Sequence, residues 1–344
     1  MVVDELCDEQ AYEQELARCV GVTGYHRWFF LSALADALGL RLRAFAVSAG
    51  SAGGSGRLGV VPLLLRRRGP VSTVNYLPVP HIGPVLAEDV LRAGRLSEVL
   101  SAMEPVLLRE RAVVTKWSFA PGVAVREADL AAAGFEVSRQ ANYLVPGTTS
   151  VEDYLKGLAP KQRAAIRRGD TRGLRAGPSS LDEITRWFPE RVSGPYQRQG
   201  VAPDYGPAAA RTLAARLAAD PRMLWRSVRA DGRVLAVNAC IVDGDRLWGW
   251  MLAGDRVPGP SPHVAAYWDA ITWSRERGLG CDFGGAPTSG IGDFKIAMGG
   301  ELETCSVAER VRPRAYRAAR ALHGRLASLP ARRPAGRRAD AGDD

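Results

Sequence analysis

The amino-acid sequence predicts an α/β (α+β) protein of two tandem lobes, each a mostly antiparallel mixed sheet flanked by helices. Three observations lead to this reading. The first 150 residues run through helices, a meander of strands, one long helix and a short strand, and that order recurs after Pro146. A chain of 344 residues suits two domains. Its composition, 46% hydrophobic and 24% charged, is enough to bury a sizeable core, and no apolar run reaches the roughly 18 residues of a membrane span.

In chain order, residues 1–20 read as a leading helix. His26 to Leu40 carries apolar residues at helical spacing, with Gly39 as its stop. Arg41 to Ser48 and Leu58 to Leu65 read as strands around a Gly/Ser-rich hairpin, Ala49 to Gly56. After a Pro/Gly loop, Pro78 to Pro84, the spacing predicts a helix over Leu91 to Arg109. A strand follows over Ala112 to Phe119, a short helix over Glu127 to Ala133 and a strand over Phe135 to Val145. The second half predicts a basic helix within Val151 to Arg168 and helices at Leu181 to Gln199 and Pro207 to Ala219. Strands follow at Met223 to Val228, Val234 to Val242 and Arg246 to Leu252, then a helix from His263 to Gly278. A short buried strand, Cys281 to Phe283, a helix near Asp293 to Met298 and a strand near Glu301 to Val307 complete it. The implied division is 1–150, 151–311 and an Arg-rich helix and disordered tail over 312–344.

The net charge of +9 is concentrated in two places. Residues 310–344 hold ten arginines against three aspartates, and residues 156–175 hold seven Lys/Arg against Asp170, leaving a mildly acidic remainder. This pattern points to an anionic partner. Five scattered cysteines with no CxxC pair, and four histidines with no HxxH or HExxH spacing, predict neither a disulfide framework nor a metal site. Met1 to Cys19 is acidic and lacks the basic start and apolar stretch of a secretory signal, so a cytoplasmic protein is expected.

Four stretches could carry chemistry. On the basic helix, Lys161, Arg163, Arg167 and Arg168 could cradle phosphates of a donor or carrier, or form an ordinary solvated face. Cys281 to Gly300 places six glycines around Lys295, whose ammonium could stabilise an oxyanion or a phosphate; otherwise it is a surface loop. Trp248, Trp250, Tyr267, Trp268 and Trp273 could wall a pocket or fill the core. His81, in the loop Tyr76 to Pro84, could be a general base or a structural residue. No GxxxxGK[ST], no GxGxxG after a strand and no GxSxG is present.

Four sequence features, taken in order, resemble the FemAB-like branch of the GNAT superfamily, which includes BioF-like acyltransferases. They are the helix with Trp28 and Phe29, the progression from VVPLLLRRRG to HIGPVL, the basic stretch YLKGLAPKQRAAIRRG, and YWDAITWSRERGLGCDFGG followed by DFKIAMGGE. They span about residues 22–309. The last resembles the closing motif of that branch, here Asp282, Gly284, Gly285, Phe294, Lys295, Gly299 and Gly300. The resemblance implies two GNAT-like lobes and transfer of an aminoacyl group from aminoacyl-tRNA, or an acyl group from a thioester, to a small amine or peptide-precursor acceptor. It implies Lys295 as the catalytic residue and the basic helix facing the donor phosphates; Asp282, Gly284, Gly285 and Phe294 of the closing motif, with Trp248 and Trp250 from the aromatic set, are the expected pocket lining. It implies no tightly bound cofactor and no metal, with aminoacyl-tRNA or acyl-CoA as co-substrate. One departure concerns the stretch before the long helix, Gly254 to Pro262, where acyl-CoA enzymes carry a pyrophosphate loop. Arg256 and Gly259 match that loop in part, but three prolines remove N–H donors. The alternatives are an acyl-CoA-dependent N-acetyltransferase and a non-catalytic nucleic-acid-binding protein using the Arg-rich tail. Cell-wall and specialised-metabolite pathways, and any oligomeric state, stay open.

Overall fold

The sequence punctuation matches the ends of the elements in a computed structural model, which describes residues 1–312 except 51–55, 78, 195–204, 256 and 287. Helix Trp28–Leu38 ends where Gly39 takes a left-handed φ of 61°, and Leu40 N–H closes the cap on the Ala35 carbonyl at 2.8 Å. The helices are α1 Glu9–Leu16, α2 Trp28–Leu38, α3 Glu88–Arg92, α4 Leu96–Arg109, α5 Glu127–Ala132, α6 Val151–Gly157, α7 Pro160–Thr171, α8 Phe188–Arg191, α9 Pro207–Leu217, α10 Pro262–Arg275 and α11 Ser289–Ala297. The strands are β1 Val2–Leu6, β2 Arg41–Ser48, β3 Arg57–Arg68, β4 Val71–Val74, β5 Val85–Leu86, β6 Ala112–Ser118 and β7 Glu136–Val145. The second half adds β8 Arg175–Pro178, β9 Met223–Ala230, β10 Arg233–Asp243, β11 Arg246–Gly254, β12 Gly280–Gly285 and β13 Glu301–Val311.

These strands form one mixed, mostly antiparallel sheet in the order β1-β2-β3-β4-β6-β13-β7-β12-β11-β10-β9-β8, with β5 on β3. The two ends mirror one another. Each is a four-stranded antiparallel meander whose fourth strand pairs in parallel with the next, β4 with β6 and β11 with β12. At the centre the halves exchange strands: β13, from the C-terminal half, pairs with β6, and β7, from the N-terminal half, pairs with β12. β7 and β13 then pair with each other from Glu136 to Leu144.

Packing joins the halves a second time. Phe30 and Leu34 of α2 share one core with Phe188, Leu213, Trp225 and Trp250 of the second half. Fully burying such a side chain contributes roughly 1.5–3 kcal/mol. Arg27 adds an ion pair to Asp243 at 2.8 Å and another to Glu13 at 2.9 Å.

Three expectations change. Residues 2–6 are a strand rather than part of a helix, because the acidic side chains that read as helical face basic ones across the ladder; Glu5 accepts from Arg43 Nε at 2.6 Å. The short strands β4 and β8 were not legible. Leu181 to Gln199 is not one helix: a π-turn over Glu183–Trp187 precedes the short α8, and the rest lies largely outside the described residues, as does the expected Arg-rich helix of 312–328.

The strand exchange predicts that residues 1–150 expressed alone show no cooperative urea transition, and that co-expression with 151–344 restores one. A sharp two-state transition in the isolated first fragment would contradict this.

Candidate active site

The parallel ladder between β11 and β12 is three residues long, Arg246–Trp248 against Gly280–Asp282. Beyond it the strands part. A bulge leaves Trp250 of β11 without a partner on β10, and β12 curls at Gly284, whose φ of 68° is one that glycine adopts without strain. A cleft of about 820 Å³ opens in the gap. It runs through the sheet: Tyr267, Ala270 and Cys281 belong to the core under α10, whereas Leu77, Val79 and Trp250 belong to or pack on the core under α2. The equivalent gap in the first half is filled. Beyond the Val74–Thr115 contact, the loop of residues 75–84 takes the place of a strand beside β6. His81 N–H donates to Ser118 Oγ at 3.2 Å, and Ser118 N–H to the Ile82 carbonyl at 3.2 Å.

Two buried ions of opposite sign fix the β12 edge of the cleft. Lys295, 4% exposed, donates from Nζ to the carbonyls of Phe283, Gly284 (3.1 Å) and Gly285. Three consecutive carbonyls can converge on one ammonium because the chain turns at Gly284. Asp282 grips the same turn from the other side. Its carboxylate, fully buried, accepts from Gly284 N–H and from Asn142 Nδ2, each at 2.7 Å, with Arg246 at 3.7 Å. Burial pushes the Lys295 ammonium down to about 8, opposed by Asp282, and pushes the Asp282 carboxyl up, opposed by Asn142 and Gly284 N–H.

Beneath the cleft lies a polar layer from both halves. Arg246 bridges Asp282 and Glu303, the latter at 3.2 Å, and the Asn142 amide lies beside the His81 ring. His81 is 3% exposed and has a left-handed φ of 59°, which histidine, like asparagine and aspartate, adopts more readily than most non-glycine residues. Burial pushes its imidazole down to about 4, with the Phe119 carbonyl opposing. His81 is therefore neutral at pH 7 and outside the cleft wall.

The sequence candidates divide. Lys295, Asp282, Gly284, Gly285 and Trp250 line the cleft. Trp248 does not: it is 4% exposed, packed on Tyr25 and His81 in the core. Phe294 is set behind the wall, edge-on to Tyr267 with ring centroids 5.1 Å apart. The basic helix lies outside the cleft. Gln162 and Tyr154 contact Met298 just after α11, so α6 and α7 flank the Lys295 helix. Lys161, Arg167 and Arg168 are exposed with no ion pair among the described residues, whereas Arg163 donates to the carbonyls of Lys156 and Leu158. Sequence reasoning missed Lys116, Asn142 and Asn238. Lys116, at a half-buried position of β6, lines the cleft, and burial lowers its ammonium, with Glu309 opposing. The only signal for it was a lone charged residue in a strand rich in β-branched and aromatic residues, VVTKWS. Among the described residues no cluster of His, Cys, Asp and Glu could hold a metal ion, and no helix is long and apolar enough to cross a membrane.

Residues 160–295, from the first residue of α7 to Lys295, match the family model for an acetyltransferase (GNAT) domain. Over that segment the chain is similar to a GNAT-type acetyltransferase domain. The fold is shared with FemX, whose crystal structure superposes with a TM-score of 0.69 at 14% identity, over 93% of this chain and 99% of FemX. It is also shared with the C-terminal domain of a putative lysylphosphatidylglycerol synthetase from Agrobacterium fabrum (TM-score 0.55, 14% identity, 92% of this chain and 97% of that one). L-PGS from Bacillus licheniformis is a third (0.52, 13%, 93% and 96%). At these identities the likeness is one of fold. No curated protein sequence matches the chain significantly.

The buried neutral histidine has a pH signature. With a folded pKa near 4 against about 6.5 unfolded, the unfolded chain binds the extra proton between these values, so stability is full above pH 6.5 and falls as pH drops toward 4. His81→Asn, which tolerates the positive φ, is expected to make the decline shallower by up to about 1.4 kcal/mol per pH unit in urea melts between pH 6.5 and 4. An unchanged slope would show that His81 takes up its proton without cost.

Proposed function

We propose that the protein is an N-acyltransferase in which an activated acyl donor enters the cleft from the α10 side and an amine acceptor from the opposite face. The supporting observation is the gap between β11 and β12, a passage through the sheet lined from both of its faces. Two substrates approaching from opposite sides would meet there with their reacting atoms held in place. The amine nitrogen, entering neutral, attacks the carbonyl carbon and a tetrahedral oxyanion forms. On collapse the bond from carbonyl carbon to carrier breaks, the carrier's oxygen or sulfur leaves with the electron pair, and it takes up the proton that the nitrogen loses. Lys295 first shapes the β12 edge. As charge develops it exchanges its 3.1 Å contact with the Gly284 carbonyl for the oxyanion, the stronger acceptor. On the acceptor side Lys116 supplies a cation for an anionic group of the acceptor.

The donor we favour is aminoacyl-tRNA. Support against acyl-CoA comes from the start of α10, where a pyrophosphate would sit. Pro262 has no N–H, Val264 N–H points to Ser261 Oγ at 3.5 Å, and Asp255 places a carboxylate in the preceding loop. The partly matching Arg256 lies outside the described residues. The exposed Lys161, Arg167 and Arg168 beside the Lys295 helix suit a polyanion. One fold neighbour is, by its title, the C-terminal domain of a putative lysylphosphatidylglycerol synthetase, a name that denotes an aminoacylated lipid as product. In this reading the protein works in the cytoplasm without a tightly bound cofactor. The second reading, an acyl-CoA-dependent N-acetyltransferase, is favoured by the acetyltransferase domain match over residues 160–295.

Mass spectrometry of amine acceptors incubated with charged tRNA pools or with acyl-CoA mixtures tests the donor. The expected product gains an aminoacyl mass with charged tRNA alone; acylation with acyl-CoA alone would overturn the donor, and no product from either would overturn acyl transfer. Lys295→Ala is expected to lower kcat by about 100-fold while donor KM changes little, measured by steady-state kinetics. Full turnover in the variant would remove Lys295 from the mechanism.

A further inference from the structure

A backbone carbonyl freed from a ladder needs another donor, and that requirement singles out Gly249. Gly249 is the first residue of β11 beyond its ladder with β12, and its carbonyl oxygen faces β12, only 3.6 Å from where a Cβ on Gly284 would lie. Nothing in the direction of β11 itself stops the ladder at Trp248. The competitor comes from the other half of the molecule: Tyr25 Oη donates to the Gly249 carbonyl at 2.7 Å.

The Tyr25 turn is built to hold that contact. Tyr25 is fully buried, between Phe30 and Trp248 with ring centroids 5.6 and 6.1 Å away. The preceding Gly24 presses on β10 and β11 so closely that a Cβ there would stand 2.6 Å from Ile241 and 3.2 Å from Trp248. On the far side the turn is tied by Thr23 N–H to His26 Nδ1 at 3.1 Å and by Tyr12 Oη to the His26 carbonyl at 2.7 Å. Residues 24–26 are a wedge of the first half driven against the second half where its two strands separate.

We propose that Tyr25 is a positioning residue that holds the cleft open by satisfying the Gly249 carbonyl in place of a β12 donor. Without the hydroxyl this carbonyl is left unpaired, and lengthening the β11–β12 ladder is the nearest remedy, which narrows the passage. The kinetic consequence rests on the acyl-transfer reading of the cleft; the structural one does not.

Tyr25→Phe keeps the ring and removes the bond. In hydrogen–deuterium exchange, the segments 247–252 and 281–286 of the variant are expected to exchange more slowly than in the unaltered protein, by about tenfold, the equilibrium weight of one buried hydrogen bond. With charged tRNA as donor, KM is expected to rise by a similar factor while kcat moves less. Ser72→Ala removes a buried hydroxyl-to-carbonyl bond, to Glu110 at 2.6 Å, that touches neither the gap nor the Tyr25 turn, so it is the control: a loss in urea stability with neither segment slowed. Exchange that is unchanged or faster in both segments of Tyr25→Phe, or the same slowing in Ser72→Ala, would overturn the proposal. Slowed exchange with no product from any donor would leave Tyr25 in its role and discard acyl transfer. If Tyr25→Phe does not fold, the test passes to the intact protein, where segment 247–252 must exchange faster than segment 236–243 of its β10 partner; equal protection would overturn the proposal.

Discussion

Everything at this site depends on a parallel ladder that is only three residues long. Strands β11 and β12 stay paired from Arg246 to Trp248 and then separate, and the cavity, its through-sheet path and its two-sided lining follow from that separation. Each side of the gap needs its own hold, because backbone polar groups freed from a ladder must be satisfied elsewhere. On β12 the hold is ionic: Lys295 gathers three carbonyls and Asp282 receives the Gly284 amide. On β11 it is a neutral tyrosine hydroxyl from 224 residues away in the chain.

The two gaps that the pseudo-repeat creates are used differently. The first half closes its own with the loop around His81, whose neutral imidazole, left-handed backbone and bonds to Ser118 and Phe119 are features of a plug. The second half leaves its gap open. This asymmetry leaves one of the two gaps open, with the first half serving as wall and wedge.

The sequence was most legible where a residue's local backbone requirement is strong. Gly39 marked the end of α2, and the run of glycines around Lys295 marked a turn of close backbone approach. Pairing partners were not legible. The alternation in Glu136–Val145 shows a strand, but nothing in it says that the strand lies between β12 and β13, since register and neighbour are set by distant residues. Trp248 and Trp250 share one pattern in sequence and both pack on the core under α2, but only Trp250, which the bulge leaves without a β10 partner, also lines the cleft. Lys116 reads as an ordinary outward position of a strand, and it matters only because the face it points to is uncovered. Tyr25 is silent in sequence, one aromatic residue beside a helix start.

The exchanged central strands also bear on how the chain is made. The site between β6 and β7 is filled by Glu301–Val311, among the last described segments to leave the ribosome. Until then β6 and β7 of the nascent first half present bare hydrogen-bonding edges, the kind that other chains capture. Completion of the sheet thereby waits for synthesis of β13, and a message truncated ahead of Glu301 yields a product whose middle cannot close.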